Sequence, residues 1–199
     1  MIVLVLRSGG DYVPDDVDRL VLQIRAQSFV PIRVLTDCWV PGPEHAPVSR
    51  VPLVHHWPGW WSKMEMFRPD LTGDFLYMDL DTVVRGPIDD FLSVGRLTLL
   101  RDFYRERGLG SGLMFLPEAD RAEIWQAWIA SPERWMAEHP VDGDQAFLER
   151  YWLARADRWQ DVLPGCVASY KASGKAEREA AAVVCFHGEP RPRAVLWSV

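Results

Sequence analysis

The chain has 199 residues, 48% of them hydrophobic, with 22 basic against 28 acidic side chains and a formal net charge of −6. That size and apolar content suffice for one substantial core, so a single domain over residues 1–199 is expected. The acidic balance argues against general nucleic-acid binding and leaves any anionic ligand dependent on a local basic pocket.

Residues 1–6 are an apolar run that stops at Arg7-Ser8-Gly9-Gly10. The run is too short for a membrane span and lacks the positive leader of a signal peptide, so it predicts a first core strand. Over residues 14–28, Val17, Leu20, Val21 and Ile24 recur at helical spacing behind Pro14 and aspartates, the pattern of an amphipathic helix. Residues 32–37 predict a second strand, and strand, helix, strand suggests a parallel β-α-β unit. A loop punctuated by Pro41, Gly42, Pro43 and Pro47 follows. Residues 60–67 predict a short helix closed before Pro69, leading into the stretch 75–84, where an apolar run that reads as a buried strand ends in Asp79-Leu80-Asp81. Strands are also expected at 97–100 and 112–116, helices at 118–130 and 144–152, and a polar mobile loop at 173–179. A last strand at 182–186 delivers His187 and Gly188. The fold class is α/β with a mostly parallel central sheet. Ligands collect at the carboxyl ends of strands in such sheets, where Arg7 to Asp11, Thr36-Asp37, Asp79 to Asp81, Arg101-Asp102 and His187-Gly188 all fall.

Three cysteines, Cys38, Cys166 and Cys185, are odd in number and without close metal-ligand spacing. They argue against a disulfide framework or zinc site and for the reducing cytoplasm.

An Asp-x-Asp tripeptide occurs three times. Asp16-Val17-Asp18 follows Pro14 at a helix start, where acidic residues answer the helix dipole. Asp142-Gly143-Asp144 precedes a helix, so that Asp142 reads equally as a cap or as part of a site. Asp79-Leu80-Asp81 alone ends a long apolar strand. Alternation would aim both of its carboxylates to one side, as oxygen ligands for a hard dication such as Mg2+ or Mn2+. His187 could add a nitrogen ligand if the last strand lies near, a set suited to manganese, although a surface or packing role is equally open. Arg191 and Arg193 follow on a segment stiffened by Pro190 and Pro192, with guanidinium forks that match phosphate oxygens; a solvated basic tail is the alternative. Of ten tryptophans, Trp125 and Trp128 read as helix packing. Trp60 and Trp61 read as core, with a platform for a sugar ring as the alternative.

These pieces, in their order along nearly the whole chain, resemble the small metal-dependent glycosyltransferases of the A-type fold, especially the retaining galactosyltransferase and glycogenin-like group with its short bacterial relatives. The resemblance rests on Arg7 to Tyr12, Leu35-Thr36-Asp37, Trp60 to Glu65, Tyr77 to Asp81, Ser111 to Met114, Gly143-Asp144-Gln145, Ser169-Tyr170-Lys171 and Phe186 to Pro192. It implies a Rossmann-like nucleotide-diphospho-sugar transferase domain. Transfer would run from a nucleoside-diphosphate sugar, a UDP-sugar, to a saccharide or other hydroxyl acceptor. By resemblance, Asp79, Asp81 and His187 are ligands of Mn2+ or Mg2+, with Gly188 and Arg191 at the phosphates. Lys63, Asp79 and Ser111 lie near the donor, and Arg7, Ser8, Asp11, Tyr12 and Asp37 form its nucleoside pocket. Asp144 and Gln145 would be the catalytic pair beneath the donor sugar. Two places depart from the family pattern: Gly110 stands where an asparagine is common, and Arg191 where a lysine is. Two other readings stay open. One is a haloacid-dehalogenase-like phosphatase, which would need a lysine between Asp79 and Asp144, where the sequence has none. The other is a nucleotide-sugar binding module without catalysis.

Overall fold

In the computed structural model, which describes residues 1–40, 42–44 and 46–195, the first strand sorts its side chains onto two cores. Pro41 of the expected proline-rich loop lies outside the described residues. The chain begins with β1 (Ile2–Leu6), α1 (Pro14–Arg25), β2 (Ile32–Thr36), β3 (Ser49–Pro52) and a 3₁₀ segment at Gly59–Phe67. It continues through β4 (Phe75–Met78), β5 (Thr82–Val84), α2 (Asp89–Ser93), β6 (Thr98–Arg101), β7 (Leu109–Leu116), α3 (Glu118–Ile129), α4 (Pro132–Glu138) and α5 (Gly143–Trp152). The rest is β8 (Asp157–Arg158), α6 (Trp159–Val162), β9 (Val167–Ser169), α7 (Lys175–Ala180), β10 (Val183–Cys185) and a 3₁₀ turn at Pro192–Ala194.

Ile2, Leu4 and Leu6 enter one apolar cluster while Val3 and Val5 enter another, as the two-residue period of an extended chain requires. The first cluster is roofed by α1 through Val17, Leu20, Val21 and Ile24. The second is filled from the 3₁₀ segment, α3 and α5, with Met64, Phe67, Ile124, Trp128, Phe147 and Trp152. Seven strands make the main sheet in the order β3-β2-β1-β4-β7-β6-β8, and β7 alone runs against the others. That reversal brings the start of β7, with Gly110 to Gly112, beside the end of β4. The expected β-α-β unit is present as β1-α1-β2, with Ile2 opposite Ile32.

Residues 75–84 are not one strand. The chain leaves the sheet at Asp79, and β5 joins a second sheet of order β5-β10-β9. There β10 pairs antiparallel with β5, Cys185 opposite Thr82, and parallel with β9. Residues 173–179, expected as a mobile loop, contain most of α7. The Glu177 carboxylate accepts the Gly174 N–H at 2.6 Å, and Arg178 donates to the carbonyls of Tyr170 and Ser173 at 2.7 and 3.2 Å. These bonds satisfy backbone groups that a polar sequence alone would leave to water. Among the described residues no helix is long and apolar enough to cross a membrane.

Candidate functional site

The site is built around the turn that follows β4. On that strand Leu76 and Met78 face the α1 core, and Phe75 and Tyr77 face the 3₁₀ segment. Asp79, two residues after Tyr77, stays on the 3₁₀ side, and the Tyr77 hydroxyl donates to its carboxylate. Leu80 drops into the α1 core. The backbone then turns, with the Thr82 N–H on the Asp79 carbonyl at 3.0 Å. The chain between the two carboxylates is therefore a turn and not a continued strand, with β4 ending at Met78 and β5 starting at Thr82.

Arg19 of α1 holds that turn from the opposite face, donating to the carbonyls of Leu80 at 2.5 Å and Thr82 at 3.0 Å. Gln23, one helical turn on, accepts from both Arg19 and the Val84 N–H at 3.1 Å. Both residues belong to the support of the site, and nothing in their local sequence announces it.

On the 3₁₀ side, Lys63 is buried between carboxylates, 3.1 Å from Asp79 and 3.1 Å from Asp144, and it donates to the Ser111 hydroxyl at 3.2 Å. Burial alone would lower its pKa, but Asp144 and Asp79 outweigh burial and hold the ammonium above its usual value. Glu65 fixes the segment that carries Lys63: its fully buried carboxylate accepts the N–H groups of Val54 and His55 at 2.7 and 2.9 Å and pairs with Arg68 at 2.8 Å. Asp142 makes no capping hydrogen bond at the start of α5, so the cap reading of that residue falls away.

Asp81 makes its contacts with the segment after β10. It accepts the Gly188 N–H at 2.9 Å and lies 3.5 Å from Arg191. Arg191 also pairs with Asp11 at 2.9 Å, lies 4.4 Å over the Tyr12 ring and donates to its hydroxyl. Arg193 turns away to Asp16, so the two arginines divide their tasks, and the first Asp-x-Asp copy serves the start of α1. Lys171 pins the carbonyls of His187 and Glu189. His187 and Gly188 both adopt left-handed φ values, +55° and +86°, a conformation costly for a side chain other than glycine. The His187 ring packs on Phe103 at 4.9 Å, and its Nε2 is buried with no hydrogen-bond partner among the described residues. Burial pushes its pKa down, against the pull of Asp81 and Asp79, and so favours the neutral imidazole.

The fourth wall comes from β6 and α5. Gln145 donates its amide to Asp102 at 3.0 Å, and Asp102 is fixed by the Tyr104 N–H at 2.8 Å and by Arg105, which in turn pairs with Glu149 at 2.7 Å. Asp102 appeared in the sequence only as one polar strand end among several.

These groups enclose a cavity of about 670 Å³ lined by Arg7, Asp11, Tyr12, Lys63, Asp79, Asp81, Ser111, Gln145, His187, Gly188 and Arg191. Ser8 and Asp37 stand outside the lining and bind each other: the Asp37 carboxylate accepts the Ser8 N–H at 2.7 Å and its hydroxyl at 2.9 Å. Asp144 also lies behind the wall, buried beneath Lys63. Asp79, Asp81 and His187 thus share one cavity and offer two carboxylates and an unpartnered imidazole nitrogen, a donor chemistry that fits a manganese or magnesium ion. As they stand they do not form a closed set: among the described residues no three His, Cys, Asp or Glu side chains group tightly enough to hold a metal. Asp79 is engaged by Lys63 and Tyr77, and Asp81 by Gly188 and Arg191.

No protein-family model matches the chain, and no curated protein matches it in sequence. Solved structures do. The glycosyltransferase GlyE of Streptococcus pneumoniae TIGR4 superposes over 100% of this chain with a TM-score of 0.70 at 15% identity. The galactosyltransferase LgtC, solved with donor and acceptor sugar analogues, superposes over 96% of this chain and 88% of its own, with a TM-score of 0.68 at 12% identity. The fold is that of the A-type glycosyltransferases. The bifunctional glycosyltransferase WbbM shares it, with a TM-score of 0.62 at 11% identity over 96% of this chain and 46% of its own. This chain spans 56% of the length of the GlyE structure. Gly110 lies opposite Leu100 where the β6–β7 register shifts, and an added Cβ would stand 3.1 Å from the Leu100 Cβ, close enough that Leu100 would have to give way.

Proposed function

We propose that the protein is a metal-dependent glycosyltransferase that moves a sugar from a UDP-sugar donor to an acceptor hydroxyl, acting as one unit over residues 1–199. The observation that carries this reading is the meeting of Lys63, Arg191, Asp79 and Asp81 in one cavity at the strand ends of an A-type fold. Free thiols at Cys38, Cys166 and Cys185 suit a cytoplasmic setting.

Arg7, Asp11 and Tyr12 line the nucleoside end of the donor, and the Ser8–Asp37 pair supports the loop that carries them. Asp79, Asp81 and His187 would hold Mn2+ or Mg2+, which when bound neutralises diphosphate charge and stabilises the leaving group. Arg191, already oriented by Asp11 and Asp81, meets the negative charge that develops on the diphosphate as the glycosidic bond breaks, so it binds the transition state more strongly than the ground state. Gln145 turns its carbonyl oxygen to the anomeric carbon, where positive charge develops. Asp144 acts from behind by holding Lys63 charged and in place.

The test is release of UDP from UDP-glucose and UDP-galactose with Mn2+. Asp81→Ala should lower turnover by at least about 100-fold, the cost of losing a preorganised charge, while circular dichroism shows the fold retained. Near-wild-type turnover of that variant under the same metal conditions would remove Asp81 from the mechanism. Metal-dependent release of phosphate from an aryl phosphate would favour the phosphatase instead, and UDP binding with no sugar release would favour a binding module.

A further inference from the structure

The cavity lining includes an exposed aromatic side chain, Trp60, that takes none of the roles above. Trp61 is buried and stacked on Trp128, with ring centroids 5.0 Å apart and planes at 18°. Its neighbour Trp60 is 48% exposed and lines the cavity. Gly143 explains how so large an exposed ring is held. A Cβ added there would fall 2.5, 2.7 and 2.8 Å from Nε1, Cδ1 and Cε2 of Trp60. Near-equal distances to three adjacent ring atoms mean that Gly143 lies over the face of the five-membered ring, since an edge-on approach would leave two of the three clearly farther. Gly143 has φ +59° and opens α5, just before Asp144 and Gln145. One face of the indole is therefore backed by the start of α5, and the half-exposed ring lines the same cavity as Gln145 and the exposed side chains of Tyr104 and Val141.

We propose that Trp60 is the stacking platform of the acceptor site and that the acceptor is a saccharide, laid with the C–H face of a pyranose ring on the indole. The proposal rests on the transferase reading and names its acceptor class. An aromatic face carries negative charge density that attracts the weakly positive C–H groups on one side of a sugar ring, while the ring hydroxyls remain free for polar partners. Position along the rim separates acceptor from donor. Asp37 and Arg7 follow β2 and β1, the Asp79 turn follows β4, and Trp60 stands on the α5 side beyond them. A donor with its nucleoside at β1 and β2 and its diphosphate at the turn brings its sugar to Gln145, which leaves Trp60 to face the attacking molecule.

The test is a titration of the full chain, with UDP and Mn2+ present, by methyl β-galactoside, methyl β-glucoside and lactose, read at the tryptophan indole N–H signals by NMR. The Trp60 signal is assigned by its disappearance in Trp60→Phe. At least one saccharide should shift that signal, and Trp60→Ala should weaken its binding about tenfold, with partial recovery in Trp60→Phe. UDP affinity, measured by calorimetry, should be equal in wild type and Trp60→Ala. Saccharide binding that leaves the Trp60 signal in place, no binding of any of the three, or loss of UDP affinity in Trp60→Ala would each overturn the platform. If wild type fails to bind UDP, the donor reading falls, while a saccharide shift at Trp60 without UDP still supports the platform.

Discussion

Gln145 donates its side-chain amide to Asp102 at 3.0 Å, and that bond decides which end of the amide faces the cavity. Burial would raise the Asp102 pKa, but hydrogen bonds from the Tyr104 N–H and from Arg105 outweigh it and hold the carboxyl below its usual value. An ionised carboxylate only accepts, so the NH2 end must turn to Asp102 and the carbonyl oxygen away from it. In Asp102→Asn the partner can donate or accept, and the amide of Gln145 is free to flip. Turnover of UDP-sugar should fall about 10- to 100-fold through lost orientation, with UDP affinity retained. Combining Asp102→Asn with Gln145→Ala should add nothing to Gln145→Ala alone; additive losses in a double-mutant cycle would show that Asp102 acts by another route.

Among the described residues, Lys63 is the one cation paired with both Asp79 and Asp144. Lys63→Met should destabilise the fold by about 3 kcal/mol, because two carboxylates then face each other with one of them buried and uncompensated. Urea unfolding measures this, and adding Asp144→Asn should recover a large part of the loss. Equal stability of Lys63→Met and wild type would contradict the buried-pair account.

Arg19 makes two charge-assisted hydrogen bonds to backbone carbonyls of the Asp79–Thr82 turn. Arg19→Leu should cost about 2 kcal/mol and speed amide exchange at Thr82 and Val83 more than elsewhere. A uniform change in exchange across the sheet would mean that Arg19 supports the whole fold and not the turn.

Gly110→Asn introduces the side chain that the resembled family carries, against Leu100 at 3.1 Å. The variant should be less stable by about 1–2 kcal/mol through overpacking, and Leu100→Ala in the same chain should relieve part of that strain. Thermal melts of the two single variants and the double decide the matter: a melting temperature at or above wild type for Gly110→Asn would show that the strand yields.

Strands and helices that bury both faces or one clean stripe were legible in the sequence. Residues 2–6 and 75–78 are covered on both sides and so are apolar throughout, and α1 shows its stripe from Val17 to Ile24. Strand β3 was not legible, because an edge strand reading Ser-Arg-Val-Pro has little apolar content to betray it. The polar residues aimed into the cavity were legible where they cluster locally, as in Asp79 to Asp81 and His187 to Arg191. Arg19 and Asp102 were not, since their partners lie 61 and 43 residues away and only the folded chain makes the pairs. The turn between Asp79 and Asp81 escaped periodicity for a related reason: Leu80 within it is itself core, and the chain is strand again from Thr82.

The bond from Gly188 to Asp81 spans 107 residues, and β10 joins β5 across a similar interval. Closing so long a loop costs entropy before any contact repays it, so this ladder is expected to form late. A chain emerging from synthesis through residue 182 already contains Lys63, Asp79 and Asp81 but lacks the wall they face. Completion of the cavity therefore waits for His187, Gly188 and Arg191, and a copy interrupted before them lacks the wall that Asp81 faces.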